Sequence, residues 1–93
     1  MRPPNDVIWN RIRAFQGTPF QTIKGLPFDY LTDGNGLFIF RDGKLVNRQL
    51  TRSNVLKAAD RCPLSGPTEI GDCLGPSYIF GILMDQRVRQ ELW

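Results

Sequence analysis

Asp33-Gly34-Asn35-Gly36 and Arg41-Asp42-Gly43-Lys44 stand on either side of a short apolar run, Leu37-Phe38-Ile39-Phe40. Gly, Asn and Asp accept the positive φ that two-residue hairpin loops demand, so both tetrapeptides read as tight turns. A strand held between two such turns can only pair antiparallel with what precedes and follows it. Upstream, Phe20, Thr22 and Lys24 alternate with Gln21 and Ile23, and Gly25-Leu26-Pro27 turns the chain into Phe28 to Thr32; downstream, Leu45 to Leu50 returns. The expectation is a meander of three to four short antiparallel strands. Its continuously apolar strand, Leu37 to Phe40, is expected to be central and covered on both faces.

Helical spacing flanks the meander. Ile8, Ile12 and Phe15, with Trp9 beside them, form one apolar stripe between a capping Asn5 and Gly17. After Leu50, Thr51 or Ser53 can cap a helix reaching Arg61, with Val55, Ala58, Ala59 and Cys62 inward and Lys57 and Arg61 outward. Pro63 stops it, and the Pro-, Gly- and Ser-rich stretch to Gly75 reads as an ordered loop with a helical turn near Glu69. Pro76 suits the first turn of a third helix, whose Tyr78, Ile79, Phe80, Ile82, Leu83 and Met84 are apolar on all sides. Such a helix is buried or lies in an interface. Asp85 to Trp93 reads as a charged tail with Val88, Leu92 and Trp93 as apolar points. The expected fold is α+β: an N-terminal helix, the meander, and two further helices packed on one sheet face.

Ninety-three residues make a single small globular domain, 1–93, with 41% hydrophobic and 23% charged residues, as in ordinary folded chains. Tyr78 to Met84 is too short to span a bilayer, and Met1-Arg2-Pro3-Pro4 does not open like a secretory leader. We therefore expect a cytoplasmic protein without membrane contact, with Cys62 and Cys73 reduced and acting as small core hydrophobes. Whether the two thiols pair is left open by sequence alone.

The chain contains no His. That removes the commonest general base, the Ser-His and Cys-His nucleophile pairs and every His-ligated metal site. Two Cys alone cannot close a four-ligand zinc site. Gly75-Pro76-Ser77-Tyr78-Ile79 lacks the closing Gly of a nucleophile elbow, and Asp33-Gly34-Asn35-Gly36 runs into Leu37 and Phe38 where a calcium loop needs an oxygen ligand and a Gly. Carboxylates at Asp29, Glu69 and Asp72 have no spacing that demands paired acid–base work. Glu69 to Ser77 has the spacing of the first helix and turn of a helix-turn-helix. Gly81, however, stands where its recognition helix needs an aliphatic side chain. We expect no enzyme, cofactor or metal.

Six basic residues, Arg41, Lys44, Arg48, Arg52, Lys57 and Arg61, fall within twenty-one positions against only Asp42 and Asp60. Nine of the twelve cations in the chain are Arg, suited to bidentate phosphate contacts. Aromatic residues beside them on a sheet would suit single-stranded nucleic acid. The expected function is a small non-catalytic binding module with nucleic acid as favoured partner. The alternative is a protein-interaction or oligomerisation module, a homodimer in its simplest form. It would use helix 76–84 and the tail, with Tyr78, Phe80, Met84, Leu92 and Trp93 as contact residues.

Overall fold

The computed structural model describes residues 3–46, 49–90 and 93, and the chain is an α+β fold. Arg48 and Leu92, both candidate contact residues, lie outside the described residues. Helix α1 spans Asn5–Ala14 and buries Ile8, Trp9 and Ile12. Pro4, rather than Asn5, occupies the cap position. Its extended backbone (φ −58°, ψ 157°) delivers the chain into the helix, and its carbonyl accepts from the amides of Val7 (3.0 Å) and Ile8 (3.1 Å). Gly17, at φ 80°, then redirects the chain and donates its amide to the Tyr30 carbonyl at 2.7 Å.

Strand β1 is only Phe20–Gln21, shorter than the alternation predicts. Thr22 ends it by closing a turn: its amide donates to Leu26 O (3.0 Å), and its Oγ1 accepts from Leu26 N (3.1 Å). Strands β2 (Pro27–Asp33) and β3 (Gly36–Arg41) form the first hairpin. Its loop does not use positive φ, because neither Gly34 nor Asn35 is left-handed. The Asp33 carboxylate holds it instead, Oδ1 accepting from Asn35 N (2.8 Å) and Gly36 N (3.0 Å). The second loop does match expectation, with Asp42 at φ 53° and Gly43 at φ 76° leading into β4 (Lys44–Leu45). Strand β5 (Leu50–Thr51) pairs with the start of β3, so β3 has β2 on one side and both β4 and β5 on the other. All pairings are antiparallel.

Thr51 caps α2 (Arg52–Ala59), its Oγ1 accepting from Asn54 N at 3.2 Å; the helix stops before Arg61. Asn54 also clamps the loop ahead, donating Nδ2 to Leu74 O and accepting from Leu74 N, each at 3.0 Å. A single 3-10 turn, Pro67–Ile70, precedes α3 (Pro76–Leu83). The expected tail instead forms a short helix α4 (Gln86–Arg89), capped by the Asp85 carboxylate accepting from Arg87 N at 2.9 Å.

Alternation along β2 and β3 sends Phe28, Tyr30, Leu37 and Ile39 to one face, where they meet Ile8, Ile12, Val55, Ile79, Ile82 and Leu83. The helices cover that face. The Tyr30 hydroxyl donates to the Ile12 carbonyl at 2.7 Å across it. Leu37 and Ile39 are covered as expected, but Phe38 and Phe40 are only half-buried on the opposite face.

Candidate interaction surfaces

Residues directly paired across antiparallel strands project to the same side of the sheet. Leu31 pairs with Phe38, and Phe40 pairs with both Asp29 and Leu45. These five therefore share the face away from the helices. Leu31 is 49% and Leu45 55% exposed, an unusual amount for paired strand leucines. Beside Phe40 lies a depression of about 200 Å³ lined by Gly17, Pro19, Pro27, Phe28, Asp29, Phe40 and Asp42. At the far end of the face Asp33 accepts from Gln49 Nε2 through both oxygens, at 2.9 and 3.1 Å. The edge of β2 beyond β1 is already occupied: Gly17 N reaches Tyr30 O, and Thr32 N donates to Gln16 Oε1 at 2.9 Å. What this edge offers is side chains across a face rather than a free strand for pairing.

The five described basic candidates do not gather at one point. Arg52, whose amide reaches Asn35 O (2.7 Å), stands at the start of β3; Arg41 closes its other end. The six residues of β3 set those ends about 17 Å apart. Arg41 projects to the helix side, 3.5 Å from the Tyr78 hydroxyl, and Lys44 is exposed opposite it in the hairpin. Arg52 pairs with Asp6 at 3.2 Å and lies 5.4 Å above the Trp9 ring. Lys57 and Arg61 do converge, but on a carboxylate. Lys57 Nζ is 3.3 Å from Asp72 Oδ2, and Arg61 clasps both Asp72 oxygens, Nη2 to Oδ2 at 2.7 Å. The Arg61 bonds, with Lys57 adding to them, hold the Asp72 carboxyl well below the usual carboxylate range.

Of the apolar candidates, Tyr78, Phe80 and Met84 are half-buried and Trp93 is 8% exposed. Tyr78 stands edge-on to Phe28 with centroids 5.1 Å apart, Met84 Sδ accepts from Leu64 N at 3.5 Å, and the Trp93 indole donates to Leu83 O at 2.8 Å. Gly81 packs so tightly that an added Cβ would sit 2.5 Å from the Gln21 carbonyl oxygen. Most of this helix's apolar surface thus meets the protein's own sheet and tail.

Two further arrangements stand out. A polar cleft of about 530 Å³ lies between α1 and the first hairpin, with Asp6, Trp9, Arg13, Asp33 and Arg52 among its lining residues. Its opposed charges balance, leaving no strong field for an ion of either sign. Elsewhere Arg87 lies 4.0 Å above the Phe20 ring, donates Nε to Asp85 Oδ1 at 2.9 Å, and reaches the Pro19 carbonyl at 2.8 Å. Burial alone would raise the Asp85 carboxyl, but the Arg87 bonds outweigh it and the net shift is downward. Cys62 is half-buried and Cys73 buried, and no disulfide joins them. Among the described residues no group of three His, Cys, Asp or Glu side chains could hold a metal ion, and no helix is long and apolar enough to cross a membrane.

Leu31 and Leu45 were not among the residues singled out from sequence, and Asp29 entered there only as a carboxylate weighed for acid–base work. The signal was present in the two-residue loops: once Asp33 pairs with Gly36 and Arg41 with Lys44, counting outward sets Leu31 beside Phe38 and Phe40 beside Leu45. Compared with protein-family models, curated proteins and solved structures, the chain matches none.

Proposed function

We propose that this chain is a non-catalytic protein-interaction module that holds its partner on the helix-free face of the sheet. The observation that carries this reading is the row Leu31–Phe38 and Phe40–Leu45, apolar side chains paired across three strands with no helix of the described residues above them. Contiguous exposed apolar surface is unusual on a monomer and marks contact sites, with aromatic residues at their centres. Selection of a random-peptide phage library on the wild type and on Leu31→Ser/Phe38→Ser tests it. Peptides enriched on the wild type should be lost on the variant. Equal enrichment on both refutes the reading.

A second reading keeps nucleic acid as partner, on one observation: Arg41 and Lys44 project from the second hairpin with no carboxylate partner among the described residues. Retention on heparin that falls steeply with salt, and falls further in Arg41→Glu/Lys44→Glu, supports it. A wild type that flows through at low salt ends it.

A further inference from the structure

We propose that the partner segment is cationic as well as apolar, and that one of its Arg or Lys side chains seats in the depression between Asp29 and Asp42, against Phe40. The inference rests on the protein-interaction reading above and adds the chemistry of what is held. Asp29 projects from β2 onto the outer face, and Asp42 closes the same depression from the second turn. Among the described residues neither carboxylate is in an ion pair. The charged side chains paired onto this face, Asp29 and Asp33, are both acidic, while Arg41 and Lys44 project to the other side.

The molecule already shows how such a set of groups is filled. Arg87 places its guanidinium over Phe20 while a carboxylate, Asp85, accepts from it. The depression repeats the accepting half of that arrangement, an aromatic ring beside carboxylates, with no guanidinium among the described residues that line it. A partner's cation would gain both the charge attraction and the ring's negative face. The apolar row next to it takes the aliphatic side chains that follow in the segment.

The same charges disfavour the other occupants. Two copies meeting face to face would bring acidic rims together, with no cation among the described residues of the face to answer them. A nucleic acid would bring phosphates against Asp29, Asp33 and Asp42.

The test continues from the selected peptides. Sequences enriched on the wild type should carry Arg or Lys beside aliphatic residues. The strongest of them, synthesised and labelled, should bind Asp29→Asn/Asp42→Asn roughly tenfold more weakly by fluorescence anisotropy. Asn tolerates the left-handed backbone at position 42, so the turn is kept, and thermal melting checks that the variant folds. Asp29→Asn alone, away from the turn, should show part of the loss. Enriched peptides without basic residues, or unchanged affinity for the double variant, overturn the cationic partner while the apolar face stands, provided Phe38→Ser still abolishes binding. No enrichment above Phe38→Ser overturns both. A wild type that sediments as a dimer through this face, or binds a labelled thymidine oligonucleotide there, also overturns the proposal.

Discussion

Tyr30 illustrates how far a single side chain reaches. Its ring is fully buried against Phe20, with centroids 5.2 Å apart, and its hydroxyl ties the sheet to α1 through the Ile12 carbonyl. Burial is the leading cause that lifts its phenol far above the ordinary 10.0. A phenol whose folded pKa is raised contributes stability below the unfolded value and loses it as pH climbs above 10. Tyr30→Phe removes the donor and leaves the carbonyl with one fewer partner. It should cost about 1–2 kcal/mol near neutral pH in chemical denaturation. The same variant should lose stability less steeply than the wild type above pH 10, since a phenol that resists ionisation is gone; parallel alkaline curves for the two proteins would refute that assignment.

At the scale of elements, tight contacts between segments rather than intrinsic propensity set the geometry. Gly81 lets α3 lie directly on β1, and Gly81→Ala should force helix and strand apart at a cost of about 1–3 kcal/mol, read from the denaturant midpoint. Asp33 organises the first hairpin through two amides and Gln49, so Asp33→Ala should lower stability by about 1–2 kcal/mol. Loss of the Gln49 anchor should appear as faster amide exchange at the β3–β5 pairing. These two hairpins were legible in the sequence as places, because only a few residue types fit a two-residue loop. The mechanism of the first was not: Gly34-Asn35 suggests a left-handed backbone, yet a carboxylate immediately before them satisfies the amides of an ordinary turn. Strand lengths escaped too. Phe20 to Lys24 alternates like a strand, but Thr22 finds a closer partner in Leu26 than any neighbouring strand supplies.

For the molecule as a whole, charge placement departs furthest from what spacing suggests. Six basic residues crowd one segment, but Asp6, far earlier in the chain, meets Arg52, and Asp72 meets Lys57 and Arg61. Proximity along the sequence says nothing of which acids the fold carries to them. The apolar face was legible only through register, and register only through the loops. Stability at this scale depends on closure. Trp93 fills the core beside Leu83 and Val88, and Trp93→Ala should cost about 3 kcal/mol or more, a large share of the margin of so small a fold. Thermal unfolding should broaden and shift downward by many degrees; a melt within a degree or two of the wild type would show that the indole adds little.

That indole also carries a meaning in the order of synthesis. A chain growing from its N-terminus has every strand, α1, α2 and α3 in hand before residue 93 exists, and until then the interior beside Leu83 stays open. A chain stopped short of residue 93 would present the apolar outer face of its sheet and, on the inner face, an unfilled place beside Leu83. Two apolar surfaces then stand open at once, and it is the loss of one tryptophan that opens the inner one.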